Sequence, residues 1–427
     1  MRSTLTALGL SLVLLPACGV ANAPDRSRLA ELRPAALAPA AARPQPRQQE
    51  TRPVQRPAEF QRWVDGFRPR ALSAGITPAT YERAFRTVSF RPDVIERDRS
   101  QPEFTRPIWS YLDGAVSGTR IENGRAALRQ HARLFDEIEA RYGVEKEVVA
   151  AVWGLESSYG TLRGTTPILD AMSTLAYDGR RQEFFETQLI AALRILQSGD
   201  TTPERMVGSW AGAMGHTQFI PTSYLAYAVD FRCNGRRDIW SHDPTDGLAS
   251  AAHYLARHGW VRGQPPVVEI NLPRGFDMSA AGSRRDVSAW RAAGVQPVQG
   301  ARLPASGEAQ LFFPAGVRGP VFLAFENFRV IKRYNNSDAY ALGISHLADR
   351  LRGSGPIRGS WPRDDRPLSA DERRELQQRL NARGYDTGGI DGRVGPMTVA
   401  AVRAYQASAG MVPDGFVSMD VLTRLRR

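Results

Sequence analysis

The sequence predicts a mainly α-helical protein of the α+β class, with a small β-containing insertion and a separate helical C-terminal module. Three observations support this prediction. Apolar residues recur at helical spacing from Phe60 through Trp63 to Phe67. Between residues 265 and 328, short runs rich in Val and Phe and bounded by Pro or Gly are typical of strands. A stretch rich in Gly and Pro at 353–368 precedes the last helical segments.

The length of 427 residues allows two or three domains. Hydrophobic residues make up 42% and charged residues 23%, which excludes a wholly disordered chain and a multispanning membrane protein. The net charge is +12, and all but two of the 56 cationic residues are arginines. Such a surface favours an anionic partner, which can be nucleic acid, anionic lipid or an acidic polymer. Composition does not choose among them.

The N-terminus predicts export. Arg2 precedes an uncharged, leucine-rich stretch, and residues 1–23 have the length and order of a signal peptide. Two ways of processing it remain open. Residues 15–18 resemble a bacterial lipobox in which Cys18 would be lipidated, whereas 21–23 form an Ala-Asn-Ala cleavage site. We expect a periplasmic protein. Lipidation of Cys18 would anchor it to a membrane as a lipoprotein, and the outer membrane is one of the two alternatives.

The remaining chain divides by composition. Residues 24–57 are rich in Pro, Ala and Arg without apolar periodicity, which predicts a disordered linker. Residues 58–352 form the helical domain that contains the insertion, and 353–368 form a second linker. In 369–427, three short helical segments separated by Gly-containing turns predict a small three-helix bundle.

Glu156 ends an apolar run that begins at Val148 and is long enough to be a buried helix. A low dielectric disfavours the charged form of a carboxyl group, so the pKa of Glu156 should be raised. A carboxyl group of that kind can donate a proton near neutral pH, as a general acid for a glycosidic oxygen must. From the run alone, the alternative that Glu156 merely reaches solvent at a helix end stays open.

A second segment, residues 209–224, combines small residues with Gln218. The small residues permit close approach to the backbone, and the amide of Gln218 can both donate and accept hydrogen bonds. The segment suits a polar ligand held against the main chain. A tight contact between two helices explains a Gly-rich stretch equally well.

Three motifs in order resemble the membrane-bound type B family of lytic murein transglycosylases. They are Glu-Ser-Ser-Tyr-Gly at 156–160, Ala-Gly-Ala-Met-Gly-x-x-Gln-Phe-x-Pro at 211–221, and Arg-Tyr-Asn-Asn-Ser at 333–337 followed by Tyr340. The resemblance covers roughly residues 60–351. It implies a lysozyme-like α domain flanked by smaller domains. It also implies a lyase that cleaves peptidoglycan between N-acetylmuramic acid and N-acetylglucosamine and leaves a 1,6-anhydromuramoyl end.

The resemblance also implies roles for individual residues. Glu156 corresponds to the family's single catalytic acid and base. The residues expected to bind the substrate are Ser209 and Gln218 around the sugar and its acetamido group, Tyr334 and Asn335 near the catalytic carboxylate, Arg180 and Arg181 for the peptide carboxylates, Tyr340 and Tyr111 as aromatic residues of the cleft, and Ser157. For these outer residues, an ordinary packing or surface role remains the alternative.

No second acid accompanies the Glu156 motif, although ordinary glycosidases use two carboxylates. We therefore expect Glu156 to protonate the leaving oxygen while the substrate's own acetamido carbonyl supports the developing charge. Glu156 would then act as base on the C6 hydroxyl of the sugar. Two alternatives remain, a hydrolytic muramidase and a non-catalytic wall-binding scaffold.

Some members of this family carry an EF-hand-like calcium loop at the segment that begins here with Asp230. Asp230, Asn234 and Gly235 keep the first, fifth and sixth positions of that pattern. Arg232, however, replaces an oxygen ligand, and Ser241 stands where the bidentate Glu belongs. We expect no tight calcium site, and we expect no other metal or cofactor.

The C-terminal residues 369–427 resemble the peptidoglycan-binding domain 1 family. The resemblance rests on residues 391–398, on Tyr405-Gln406 and on a repeated Asp-Gly pair at Asp391 and Asp414. We expect both aspartates to build turns rather than to contact the ligand, and the ligand contacts of the module stay open. Such a module would tether the enzyme to an insoluble polymer. We expect peptidoglycan and, through a lipidated Cys18, a membrane as partners of a monomer. Export and the lack of a recognised motif argue against nucleic acid.

Overall fold

The computed structural model describes residues 55–100 and 107–427. The predicted signal peptide, Cys18 and most of the predicted 24–57 linker lie outside the described residues. The last three residues of that linker are ordered, because Gln55 O accepts a hydrogen bond from Phe90 N at 2.8 Å and Arg56 Nε donates to Val88 O at 2.7 Å. Within the described ranges, no helix is long and apolar enough to cross a membrane.

Helices dominate the first part of the chain. They are α1 Ala58–Ser73, α2 Pro78–Phe85, α3 Pro92–Arg99, α4 Ile108–Ala115, α5 Gly118–Gln130, α6 Ala132–Tyr142, α7 Lys146–Ser157, α8 Ile168–Asp178, α9 Gln182–Ser198, α10 Pro221–Tyr227 and α11 Thr245–Arg257. Two short strands, β1 Thr166–Pro167 and β2 Val207–Gly208, pair antiparallel beside them. Helices α13 Glu326–Tyr334 and α14 Asp338–Arg352 return to this bundle after the insertion.

Helix α7 occupies the centre of the bundle. Its residues from Val148 to Gly154 are all buried, and α5, α6, α11 and α14 pack around it. A helix that is apolar on every side must be enclosed by other elements to be stable in water. The apolar run read from the sequence is therefore a core helix, and its last turn carries Glu156 towards the edge of the core.

The insertion is a small antiparallel sheet with one short helix. Its strands are β3 Val267–Asn271, β4 Arg284–Asp286, β5 Gln296–Pro297, β6 Glu308–Phe312, β7 Pro314–Val317 and β8 Val321–Ala324, with α12 Val287–Ala292 between β4 and β5. Five of them form a sheet in the order β4-β6-β8-β3-β5. Trp290 of α12 is fully buried against this sheet and donates from Nε1 to Ala309 O at 2.9 Å. The runs at 267–272, 310–313 and 321–325, which the sequence predicts as strands, correspond to β3, β6 and β8. β4, β5 and β7 were not predicted, because β4 and β5 have only three and two residues and β7 contains Pro and Gly, which are rare in strands.

The predicted second linker, 353–368, lies against the rest of the protein. Glu269 of β3 accepts hydrogen bonds from the main chain of this segment, including one from Gly359 N at 2.6 Å. Arg363 forms two hydrogen bonds of 2.8 Å with the carboxylate of Asp113 at the end of α4. The stretch therefore connects the sheet to the helical bundle, and it is not a free spacer.

The C-terminal residues fold as predicted into three helices, α15 Ala370–Ala382, α16 Pro396–Ser408 and α17 Met419–Arg426. Their shared core is apolar and includes Leu376, Leu380, Val402 and Leu425. Ser369 and Glu372 form a capping box that begins α15. The predicted fold class, mainly helical with a β-containing insertion and a C-terminal three-helix module, is confirmed.

Candidate active site

Glu156 lies in the last turn of α7, where the chain turns sharply out of the helix. Ser158 and Tyr159 both adopt the left-handed conformation, with φ of 48° and 57°. Two consecutive left-handed residues other than glycine are strained, and such strain is concentrated at functional sites. Tyr159 folds back onto α7 over Gly154, where a Cβ would lie 2.6 Å from the tyrosine ring. Gly154 is therefore required for this turn to close.

The carboxyl group of Glu156 is partly buried and accepts a hydrogen bond of 2.6 Å from the hydroxyl of Tyr340. Burial raises the pKa of Glu156 from 4.5 to about 7, and the hydrogen bond from Tyr340 opposes part of that rise. At neutral pH the group therefore exists in both protonated and charged forms. A group of this kind can donate a proton in one step and accept one in the next.

No other carboxylate among the described residues contributes to the pKa of Glu156. Burial and Tyr340 account for its shift, whereas a second acid close by would raise the pKa further by repulsion. Among the described residues, Glu156 is therefore the single acid of this site. The next two acids along the chain, Asp170 and Asp178, are bound elsewhere. Asp170 is buried and accepts from Ser89 N at 3.0 Å, and Asp178 pairs with Arg99.

Three of the predicted aromatic residues gather around Glu156. The pKa of the Tyr340 hydroxyl is raised well above its usual value, first by burial and then by the nearby Glu156, Tyr334 and Tyr111. Tyr334 donates a hydrogen bond of 2.6 Å to Thr217 O. These tyrosines come from α4, α13 and the first turn of α14, so the tertiary fold joins segments that are more than 200 residues apart. Asn335 follows α13 directly and is exposed.

The segment predicted to approach a polar ligand forms a tight turn beside this cluster. Met214 and Phe219 exchange main-chain hydrogen bonds of 2.9 and 3.1 Å across the turn, and Ser209 Oγ accepts from Ala213 N at 3.0 Å. Gln218 is left-handed, with φ of 55°, and its Nε2 donates to the carbonyls of residues 163 and 215. Since both amide hydrogens are used, Gln218 offers a ligand its Oε1, an acceptor suited to an acetamido N–H.

Ser157 was expected to bind substrate, and the structure corrects this expectation. The residue is 1% exposed, and its hydroxyl donates to His216 O at 2.6 Å and accepts from Gly160 N at 3.0 Å. A buried hydroxyl with two protein partners has no surface to offer a sugar. Ser157 instead joins the end of α7 to the turn that carries Gln218.

His216 has the role of a satisfied polar neighbour. Its Nδ1 accepts from Trp153 Nε1 at 3.1 Å, and its Nε2 lies 2.9 Å from Ser241 O. Burial lowers the pKa of His216 to about 4, so the ring is neutral at physiological pH. A neutral ring with both nitrogens engaged cannot serve as a catalytic base without breaking these contacts. The sequence offered no way to foresee the role of Trp153, which looks like an ordinary core residue.

Arg180 and Arg181 lie together between α8 and α9, and the carboxylate of Asp98 at the end of α3 binds both guanidinium groups. The Asp98 side chain is 1% exposed, whereas nearly half of each arginine side chain is exposed. Asp98 therefore orients the arginines and leaves further N–H donors facing outward. Sequence reasoning missed Asp98, because an acid between two arginines resembles an ordinary solvated charge cluster.

The segment that resembles an EF-hand loop, which begins at Asp230, is held together by its own hydrogen bonds. Asp230 accepts from Asn234 N at 3.0 Å and from Gly235 N at 2.7 Å, and Arg232 pairs with Glu137 at 2.5 Å. The turn is thus held by main-chain donors where a metal ion would need free oxygens. Among the described residues, no group of three or more His, Cys, Asp or Glu side chains is arranged to hold a metal ion. The absence of a tight calcium site stays a prediction.

Comparison with known proteins assigns the class of this site. The family model described as the transglycosylase SLT domain matches residues 59–349, and a model for a peptidoglycan binding domain matches residues 369–425. The first match spans more than half of the chain. The protein therefore belongs to the transglycosylase SLT domain family and carries a peptidoglycan binding domain at its C-terminal end.

Among individual proteins, the chain is similar to SltB3 from Pseudomonas aeruginosa, whose structure was solved in complex with NAG-anhNAM-pentapeptide. Identity is 50%, the TM-score is 0.83, and the match covers 87% of this chain and all of that one. The lytic transglycosylase Slt35 of Escherichia coli, solved in complex with calcium, matches at 28% identity and a TM-score of 0.57 over 69% of this chain and 93% of its own.

A curated relative is the membrane-bound lytic murein transglycosylase B of Escherichia coli K12. It is 34% identical over 250 residues, which are 56% of this chain and 66% of that protein. The chain thus spans just under two thirds of this relative's length. The family resemblance inferred from the three motifs is confirmed.

Proposed function

We propose that this protein is a lytic transglycosylase that cleaves the β-1,4 bond between N-acetylmuramic acid and N-acetylglucosamine in peptidoglycan. The products carry 1,6-anhydromuramoyl ends, so the reaction is a lyase reaction. Family membership supports this proposal, as does the similarity to SltB3, which was solved in complex with NAG-anhNAM-pentapeptide and with NAG-NAM-pentapeptide.

The observation that carries the proposal is the state of Glu156. Burial raises the pKa of its carboxyl group to about 7, Tyr340 donates a hydrogen bond to it at 2.6 Å, and no other carboxylate among the described residues contributes to that pKa. An enzyme that forms a covalent glycosyl intermediate, or activates water directly, needs a second carboxylate across the bond. A single acid with an intermediate pKa suits a reaction in which the substrate supplies its own nucleophile.

In the first step, the protonated Glu156 donates its proton to the glycosidic oxygen as the bond to C1 breaks. The carbonyl oxygen of the substrate's acetamido group supports the positive charge that develops at C1. In the second step, the Glu156 carboxylate removes the proton of the C6 hydroxyl, and that oxygen bonds to C1 and closes the anhydro ring. Each step uses the form of Glu156 that the previous step leaves, so the enzyme returns to its starting state.

The surrounding residues are proposed to position the substrate. Oε1 of Gln218 would accept from the acetamido N–H, and Tyr334, Tyr111 and the exposed Asn335 would line the sugar sites. Ser209 holds the turn that presents Gln218. The half-exposed arginines Arg180 and Arg181 would bind the carboxylates of the peptide stems, with Asp98 as the residue that orients them.

Digestion of purified sacculi followed by mass spectrometry tests this function. A lytic transglycosylase yields muropeptides that are lighter by one water than the products of hydrolysis. Reducing muramic ends in their place would identify a hydrolytic muramidase. If the Glu156→Gln variant solubilised sacculi as fast as the wild type, Glu156 would have no part in the mechanism. If neither protein solubilised sacculi, a role as non-catalytic scaffold would be the better account.

The site of action is proposed to be the periplasm, because peptidoglycan lies outside the cytoplasmic membrane and residues 1–23 have the order of a signal peptide. We further propose lipidation of Cys18, which lies outside the described residues. The mass of the mature N-terminus distinguishes a lipidated Cys18 from cleavage after Ala23.

A further inference from the structure

The C-terminal module contains two copies of one turn. We call residues 391–393 the first Asp-Gly turn and residues 414–416 the second Asp-Gly turn. In each, Oδ1 of the aspartate accepts a hydrogen bond of 2.8 Å from the main-chain N–H two residues later. Each turn is followed by a helix, α16 after the first and α17 after the second. The sequences Asp-Gly-Arg-Val-Gly and Asp-Gly-Phe-Val-Ser align without a gap.

A glutamine completes each copy in the same way. In the first turn, Gln377 accepts from Gly392 N at 2.7 Å and donates from Nε2 to Asp391 Oδ1 at 3.2 Å. In the second turn, Gln406 accepts from the N–H of residue 415 at 2.7 Å and donates to Asp414 Oδ1 at 2.7 Å. The two turns are therefore equivalent in structure as well as in sequence, and in both the inner carboxylate oxygen is used to build the turn.

The outer oxygen of the second turn binds another part of the chain. Oδ2 of Asp414 accepts a hydrogen bond of 2.9 Å from Val317 N, at the end of β7. Gly316 lies directly on the turn, since a Cβ there would come within 2.7 Å of this oxygen and 3.1 Å of Phe416 Cβ. The second Asp-Gly turn thus recognises a peptide main-chain N–H next to a residue that has no side chain.

In the first Asp-Gly turn, the aspartate and the residues beside it face solvent. Asp391 and Arg393 are exposed, and within the described part of the chain the aspartate accepts hydrogen bonds at its inner oxygen, from Gln377 and from Arg393 N. Around it, Ile390, Val394 and Met397 are 47–50% exposed, and large apolar side chains grouped on a surface mark binding sites. Val417 follows the second turn as Val394 follows the first, but Val417 packs against the module's core.

We propose that the first Asp-Gly turn binds the peptide stems of peptidoglycan, with the outer oxygen of Asp391 accepting a main-chain N–H of the stem. The occupant of the second turn shows which chemistry such a turn recognises, and that chemistry is peptide and not sugar. Arg393 occupies the position in the first turn that Phe416 occupies in the second, and its guanidinium supplies a cation for a stem carboxylate. The exposed apolar side chains contact the small side chains of the stem. This inference rests on the proposed function, because it takes peptidoglycan as the polymer that the protein meets.

Binding is measured with the full-length chain carrying Glu156→Gln, so that the polymer is not cleaved during the assay. The probes are intact sacculi and glycan strands from which an amidase has removed the peptide stems. Asp391→Ala should weaken cosedimentation with intact sacculi by about tenfold, the loss expected for one hydrogen bond to a charged group. It should leave the weaker binding to stripped strands unchanged. Asp371→Ala removes the same charge from an exposed site on α15 and serves as the matched control.

Met397→Asp is a second test, which still applies if Asp391→Ala fails to fold. The second copy carries Asp420 at the corresponding position, so the turn accepts an aspartate there. This variant should also lose affinity for intact sacculi. If both variants bind intact sacculi as the parent does, or lose affinity equally for stripped strands, the proposal is wrong. The digestion products of the wild type test the proposed function separately, because binding here is read without cleavage.

Discussion

Replacing Glu156 by glutamine should abolish activity and also stabilise the protein, in a manner that depends on pH. Burial raises the pKa of Glu156 from 4.5 to about 7. The folded state therefore binds more protons than the unfolded state between these values, and the wild type loses stability as the pH rises through that interval. The full shift corresponds to about 3 kcal/mol of unfolding free energy. Glutamine has the shape of the protonated acid and carries no charge that must be buried.

Chemical denaturation of wild type and variant from pH 4 to pH 8 measures this effect. The two proteins should have similar unfolding free energies at pH 4, and the variant should be more stable by up to about 3 kcal/mol at pH 8. Glu147→Gln on the same helix is the control, because Glu147 pairs with Arg352 at 3.4 Å and its loss should give no gain. A difference between Glu156→Gln and wild type that is the same at every pH would refute the view that Glu156 is a desolvated acid.

Further predictions concern the neighbours of Glu156, the residue that orients the two arginines, and the loop that resembles an EF-hand. Tyr340→Phe removes a hydrogen bond that stabilises the charged form of Glu156, so its pKa should rise by about one unit and the alkaline limb of the pH–rate profile should move to higher pH. The Tyr334 hydroxyl donates to a carbonyl, so Tyr334→Phe should move that limb less. Equal shifts in the two variants would contradict the view that the hydrogen bond from Tyr340 sets the pKa of Glu156. Asp98→Asn should raise KM severalfold for peptide-bearing muropeptides and leave peptide-free glycan unaffected; equal changes on both substrates would remove its orienting role. Calcium at micromolar concentration should leave the Tm unchanged, and a rise would show that the 230–241 loop binds the ion.

Much of the fold was predictable because long apolar periods and motif order are local properties of a sequence. The central helix α7 was visible as an uninterrupted apolar run, and the strands β3, β6 and β8 as short runs of Val and Phe. Shorter elements such as β4 and β5 were not, since two or three residues do not establish a period. The stretch 353–368 looked like a spacer, because hydrogen bonds made by its main chain and by Arg363 leave no mark in composition.

The candidate site was likewise predictable only in part. Glu156, Gln218, Tyr334 and Tyr340 were identified from motifs, whereas Ser157 was assigned to the substrate and is buried. Asp98 escaped notice although its buried carboxylate holds both arginines. Motifs name residues that occur together, and they do not say which way each side chain points.

The amino-acid order alone determined that a carboxyl group ends a core helix and that two Asp-Gly turns recur near the C-terminus. Proton affinity and recognition depend on neighbours in space, and only tertiary structure supplies those. Helix α14 brings the Tyr340 hydroxyl to Glu156 across 184 positions, and the end of β7 covers the second Asp-Gly turn while the first stays open. The reason is physical: desolvation and hydrogen bonding act over a few ångströms, whatever the separation along the chain.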